Sequence, residues 1–466
     1  MQEDRRQECL WPATGIKKRD FRDNPSEQTT PSSLCLKDTI PLCTSRLKEI
    51  AVRQEKLLEK FLRYVAVSSQ SSTKTKTVPS SEGQWAMAKL LAGELEALGL
   101  ESVEISDYAV VTAKLPSNLP EGVTVPTVGW CAHMDTVDAG LSPDIHPHVV
   151  KNYQGGDICL NAEKDIWLRV AEHPEVERYI GDDLIVTDGT SVLGADNKSA
   201  IANVMTALEI VIAEKRPHGN IYVAFVPDEE IGLCGAKKLD FSKFPVDFAY
   251  TIDSCEIGEL VYQTFNAGGA TLTIKGVTAH PMSAKGVLVN PTLIACDFVN
   301  ALDRHETPEC TEGTEGFIWV HSIQSSPSVA TVGIKIRDHH LDGYQAKKAK
   351  IRQIVERLTK ENPRAQLHLE MADVYGNIAD AITPENRAGL DLLFEVYRSV
   401  GVEPKELAMR GGTDGSYIST QGILTPNYFT GAHNFHSNCE FMPMKSFEKS
   451  LEVTLGLIDR IAKTTK

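Results

Sequence analysis

Three apolar, β-branched runs, at residues 127–132, 221–226 and 246–252, end directly in groups that bind metals or carry charge. His133-Met134-Asp135 follows the first, Pro227-Asp228-Glu229-Glu230 the second and Asp253 the third. A strand that is apolar along its whole length is covered on both faces, which is the environment of a parallel strand between helices. In such sheets ligands bind beyond the carboxyl ends of the strands. A chain that delivers His, Asp and Glu there three times is constrained to gather them.

The stretch Val192-Leu193-Gly194-Ala195-Asp196-Asn197-Lys198-Ser199-Ala200 converges on the same place. Residues 183–190 form a short apolar run closed by a turn signal, and Ala200, Ile201, Val204, Leu208 and Val211 recur at helical spacing. Asp196 therefore sits in the loop that opens a helix. A carboxylate there can cap orphan amides at the positive end of the dipole, or it can place one oxygen on each of two cations. His133 offers an imidazole nitrogen, and Asp135, two residues on, can hold the other ring nitrogen. Glu229 and Glu230 are neighbours at a strand end and point in different directions, so one can bind metal while the other faces water. Taken singly, His-x-Asp is common at strand ends, and an acidic pair usually marks a solvated turn.

From residue 101 to 253 strands alternate with helices, as in a mostly parallel sheet covered on both faces. At Ala270 the rhythm changes to a strand at 271–275, a helix at 292–302, strands at 317–321 and 331–336, a helix at 344–358 and a strand at 366–370. That order is the split βαβ arrangement of a ferredoxin-like domain. After Pro384 the first rhythm returns, with a helix at 386–400, strands near Leu407 and at 423–429, and a closing helix at 446–462. The expected fold class is α/β, a mixed, mostly parallel sheet with helices on both faces, plus an inserted α+β lid domain. The expected divisions are a disordered extension at 1–43, a first catalytic part at 44–265, the insertion at 266–382 and a second catalytic part at 383–466. The extension lacks periodicity, and Glu3, Asp4, Glu8, Asp20 and Asp23 argue against a transit peptide.

With 466 residues, 42% hydrophobic and 24% charged, the chain has the composition of a soluble protein of more than one domain. A formal net charge of -15 argues against nucleic acid or an anionic membrane surface as a partner and suits a cation site. No apolar stretch reaches the length of a membrane span. The ten cysteines are scattered, with no C-x-x-C pair, and Cys131, Cys255 and Cys296 lie in or beside apolar segments. They are expected to be reduced core thiols of a cytoplasmic protein.

Read in order, His133-Met134-Asp135-Thr136-Val137-Asp138, Leu193-Gly194-Ala195-Asp196-Asn197-Lys198, Pro227-Asp228-Glu229-Glu230-Ile231-Gly232, Thr251-Ile252-Asp253, Thr278-Ala279-His280-Pro281, Arg410-Gly411-Gly412-Thr413-Asp414-Gly415 and Gly431-Ala432-His433-Asn434-Phe435-His436 resemble the successive motifs of the peptidase T family. These are tripeptide aminopeptidases of the dizinc exopeptidase superfamily that also holds aminoacylases and glutamate carboxypeptidases. The likeness runs from about Glu55 to the C-terminus and takes in Pro79-Ser80-Ser81-Glu82-Gly83-Gln84-Trp85 and Asn152-Tyr153-Gln154-Gly155-Gly156-Asp157.

The resemblance implies two Zn²⁺ per subunit. His133 and Asp253 complete one, Glu230 and His436 the other, and Asp196 bridges them. Glu229 is then the general base, Asp135 orients His133, His280 of the inserted domain reaches a substrate oxygen, and Arg410 holds a substrate carboxylate or carbonyl, with Arg337 and Lys285 as further candidates. Small peptides are the implied substrates and the inserted domain an implied homodimer contact. His433 stands where the family has an aromatic residue and is expected in the pocket wall or at the surface. The chain departs from the family at Asn197, in place of a second Asp, at Ser254-Cys255, in place of a glycine-rich turn, and at Cys439, in place of a histidine. Rival readings are a carboxypeptidase, dipeptidase or aminoacylase on the same scaffold, and a catalytically silent peptide- or metal-binding protein, against which an intact Glu229 weighs.

Overall fold

The computed structural model describes residues 39–464, with side chains from Ile50 onward. Most of the expected extension at 1–43 lies outside the described residues, and the first helix, Thr39–Val65, begins before the expected start near Thr44. The chain divides into two units, Met1–Lys48 and Glu49–Lys466, and the sheets and the site belong to the second.

An eight-stranded sheet runs in the order Glu101–Ile105, Val111–Leu115, Ile221–Val226, Val128–His133, Phe248–Ser254, Asn427–Phe429, Glu259–Gln263, Lys405–Ala408. The three apolar runs are central neighbours and mutually parallel, with His133 opposite Val226 and Cys131 opposite Thr251. That register brings the ends of all three strands to one edge of the sheet. Val128–His133 is buried at every position because both faces are covered. One face packs under helices Ala195–Ala213, Met444–Ile461 and Ala388–Ser399. The other packs Cys131, Ala224 and Val226 against Phe244 and Ile418. Here glycine is needed at 129, since a Cβ would lie 2.2 Å from the Phe244 ring.

The flanks depart from the parallel rhythm, with antiparallel pairs at Glu101–Ile105/Val111–Leu115, Val111–Leu115/Ile221–Val226 and Asn427–Phe429/Glu259–Gln263. Leu184–Thr187, part of the expected alternation, leaves the main sheet for a three-stranded antiparallel one with Pro147–Val150 and Phe441–Pro443. It is buried because a separate cluster including Tyr153, Leu160, Val176 and Phe441 packs on it. Apolar content reports burial, not which sheet does the burying.

The insertion is a four-stranded antiparallel sheet, ordered Phe317–Ser325, Val329–Asp338, Asn266–Lys275, Gln366–Tyr375, with helices Pro291–Asn300 and Leu341–Glu361 packed on one face. Its order of elements is the expected one. The chain enters and leaves it through two segments tied together, Thr264 N–H donating to Asn377 Oδ1 at 2.9 Å and Asn377 N–H to Asn266 Oδ1 at 3.1 Å. Among the described residues no helix is long and apolar enough to cross a membrane. The described cysteines are free, Cys131 and Cys439 buried but Cys296, against expectation, exposed on its amphipathic helix.

Candidate metal centre

Asp196 does not behave as a helix cap. Gly194 turns into the helix with φ +73, and Asp196 itself has non-helical angles (φ -80, ψ 101), which swing its side chain away from the helix amides. One oxygen, Oδ1, lies 2.9 Å from His133 Nε2, which in turn lies 3.9 Å from Asp253 Oδ1. The other, Oδ2, lies 3.0 Å from His436 Nε2, which lies 3.1 Å from Glu230 Oε1. Two His-carboxylate groups thus share one carboxylate. His133, Asp196 and Glu230 have donor atoms within 4.8 Å of one another.

The donors fit divalent cations. Imidazole and carboxylate are the ligands of hydrolytic zinc sites, and Glu230 Oε1 is buried without a hydrogen-bond partner, near His436 but out of alignment with it. Burial pushes the Glu230 carboxyl up to about 7, helped by Asp196, and pushes Asp253 well up for the same two reasons. Crowded buried carboxylates are costly without a balancing charge. The Asp196 carboxylate, hydrogen-bonded to the ring, and the Glu230 carboxylate beside it raise His436 to about 11.

Glu229 lines the same cleft and makes none of these ligand-type contacts; burial raises its carboxyl well above the usual range, against the pull of His133. Asp135, buried, stands 3.4 Å from His133 Nδ1 through its carboxylate, but its own backbone oxygen is closer, at 3.1 Å. Its carboxylate instead accepts the N–H of Glu229 at 3.0 Å and of Glu230 at 3.2 Å. Asp135 therefore couples the first strand end to the second, which sequence spacing did not suggest.

Other supports also escaped the sequence reading. Asp228, at φ +56, accepts from Ser80 N–H and Gln84 Nε2, both at 2.7 Å, so the Pro79-to-Trp85 motif braces the turn that parts Glu229 from Glu230. Glu440 accepts the N–H groups of Leu193, Gly194 and Asp196 at 2.7, 2.9 and 3.1 Å. Lys198, buried, donates to Val67 O at 2.6 Å, and burial lowers it to about 7. Asn197 Nδ2 donates to Ile252 O at 2.6 Å and Asp253 Oδ1 at 2.9 Å. The available signal for Glu440 was an acid set directly before the apolar pair Phe441-Met442, four residues after His436.

The cleft, of about 440 Å³, is lined by Asp196, Glu229, Glu230, Asp253 and His436 together with Tyr375, Thr413 and Phe435. Two expected site residues stand elsewhere. His280 is exposed, its Nδ1 accepting from Met282 N–H at 3.2 Å. Arg410 donates to the Gly313 and Glu315 carbonyls at 3.1 and 2.8 Å and to Thr311 Oγ1 at 2.8 Å, with its guanidinium over the rings of Phe265 and Phe317. It bridges to the inserted domain because that loop offers carbonyls and two aromatic faces. Lys285 is exposed near His280, whereas Arg337 lines an adjoining groove. His433 is neither pocket wall nor surface: it is buried, stacked on Phe441 at 4.8 Å and bonded through Nε2 to Tyr179 Oη at 2.6 Å.

A peptidase dimerisation domain model matches residues 262–366. A peptidase T-like protein of Yersinia pestis is 54% identical over 409 residues, covering 88% of this chain and 98% of its own length. Peptidase T of Caldanaerobacter subterraneus is 42% identical over 409 residues, covering 88% and 99%. The solved aminopeptidase PepT from Bacillus cereus superposes with a TM-score of 0.67 at 22% identity, covering 88% of this chain and 99% of that one. A dinuclear metal binding peptidase of the M20 family from Bacillus subtilis superposes with a TM-score of 0.59 at 12% identity, covering 89% and 99%. With full-length relatives at this level of identity, the chain belongs to the peptidase T family.

Proposed function

We propose that the protein is a dizinc aminopeptidase that releases the N-terminal residue of tripeptides. The observation that carries this reading is the position of Asp196, whose two oxygens each face an imidazole backed by its own carboxylate. His133 and Asp253 would hold one Zn²⁺ and Glu230 and His436 the other, with Asp196 between. When bound, such a pair lowers the pKa of a water and polarises the scissile carbonyl.

The chain's own residues do the remaining work. Glu229, half-buried and left without a ligand role, takes the proton of the attacking water and delivers it to the leaving amine. The Asp135 carboxylate fixes where Glu229 and Glu230 start through their backbone amides, and its backbone oxygen orients His133. Acidic groups of the cleft receive the α-amine. Arg337 is the better receiver of the far carboxylate, because Arg410 is committed to the inserted domain. A substrate held at both ends is measured for length, since lost alignment at the reacting centre costs orders of magnitude in rate. His280 supplies a donor to the oxyanion once movement of the inserted domain brings it to the cleft. The dimerisation-domain match supports a homodimer through the inserted domain, and the free cysteines a cytoplasmic setting.

The test is metal content together with kcat/KM for di-, tri- and tetrapeptides sharing one N-terminal residue, with free and blocked ends. Two metals per chain and a tripeptide optimum that needs the free amine are expected. Equal rates across lengths, or indifference to blocking the amine, would move the assignment to a carboxypeptidase, dipeptidase or aminoacylase.

A further inference from the structure

The groove beside the cleft carries more positive charge than one peptide terminus needs. It has a volume of about 820 Å³ and shares Glu230 and Gly232 with the cleft, so the two adjoin there. Its floor is the sheet of the inserted domain, where Gly269 pairs with Lys335 on one side and Ala372 on the other. A Cβ on Gly269 would meet only Ile334 O, at 3.6 Å, so the floor is open at that point.

Lys237, Lys335 and Arg337 all line this groove, in a chain whose formal net charge is -15. Each is held by a carbonyl or an aromatic ring and not by a carboxylate. Lys237 Nζ donates to Gly232 O at 2.9 Å, Lys335 Nζ stands 5.3 Å over the Trp319 ring, and Arg337 donates to Gly268 O at 3.0 Å while lying 5.7 Å over Tyr375. The acids nearby face imidazoles and not these cations, Glu230 at 3.1 Å from His436 and Glu370 at 3.2 Å from His368.

We propose that this groove is a subsite for an acidic side chain on the third residue of the substrate, selected by Lys335. The proposal rests on the tripeptide reading. An extended chain advances about 3.3–3.6 Å per residue, which puts the third residue roughly 7 Å beyond the scissile carbonyl, past Glu230 and Gly232 and into the groove. The terminal carboxylate occupies the planar fork of Arg337. That leaves Lys335 and Lys237 without an anion, and a Glu or Asp side chain supplies one. Lys335 is exposed and braced on Trp319, so its ammonium is available without a large desolvation cost.

The experiment compares Leu-Gly-Glu with its neutral isostere Leu-Gly-Gln and with Leu-Gly-Lys, taking Leu-Gly-Gly as reference. The expected order of kcat/KM is Glu above Gln above Lys, with Glu over Gln by about three- to tenfold, shrinking as ionic strength rises. In Lys335→Gln the Glu/Gln ratio falls to near one, and in Lys335→Glu it inverts. Because both substrates are read on the same enzyme, a reduced folded fraction cancels from the ratio. A wild-type ratio of one, or a ratio unchanged in Lys335→Gln, overturns the subsite and leaves the tripeptide reading standing. Failure to cleave Leu-Gly-Gly overturns both.

Discussion

The carboxylate of Glu440 accepts the backbone N–H of Asp196, 244 residues away in sequence, and those of Leu193 and Gly194 beside it. The loop that carries His436 therefore clamps the loop that carries Asp196. Glu440→Gln keeps the size but turns one oxygen into a donor facing amide donors. Metal affinity should drop by about 10- to 100-fold, the usual effect of removing a support behind a ligand. Metal titration of the variant checks this, and an unchanged affinity would show that the clamp is dispensable.

Glu229→Ala should lose about 10²- to 10⁴-fold in kcat, the usual share of a general base, while still binding metal. Asp196→Ala should lose metal and activity together, because both groups of donors depend on it. Metal analysis beside kinetics separates the two, and near-normal turnover in Glu229→Ala would reassign the base.

The Asn197 amide donates to the Ile252 carbonyl and to the Asp253 carboxylate. Asn197→Asp replaces both donations with repulsion between acceptors. The expected result is roughly a tenfold or greater loss of metal affinity relative to the unsubstituted protein at neutral pH, a gap that narrows at lower pH as the new carboxyl protonates. Equal affinity across that range would mean the loop repacks around the charge.

Burial lowers His433 to about 4, despite the nearby Glu256, so the folded protein holds the ring neutral. The unfolded chain takes up that proton near pH 6.5. Unfolded protein then binds more protons between those values, and stability rises with pH across the window. The contribution is complete above about pH 6.5 and falls by up to about 3 kcal/mol as pH drops toward 4. In His433→Phe, which keeps the stack on Phe441, the slope of Tm against pH over this window should flatten. An unaltered slope would assign acid sensitivity to other groups.

The elements were legible in sequence wherever a side-chain period spoke for itself. The three buried strands with their His, Glu and Asp ends, the change of rhythm at the insertion and the helix after Asp196 all follow from local pattern, because a period of two or of 3.6 is a property of consecutive residues. The candidate ligands His133, Asp196, Glu230 and Asp253 were readable for the same reason, each at or just past the end of an element, whereas His436 lies in the loop between Asn427–Phe429 and Phe441–Pro443 and was reached through the motif resemblance. What sequence could not decide was pairing and reach. Leu184–Thr187 has the composition of a central strand and joins another sheet; Arg410 has the charge of a substrate clamp and spends it on Gly313 and Glu315; His433 sits beside the site motif and belongs to the core. Asp228, Asp135 and Glu440 act through backbone amides of segments far away in the chain, and an amide carries no side-chain signature to mark it as a partner. Only the tertiary structure could show them, since a buried carboxylate is satisfied by whichever donors the fold brings within about 3 Å.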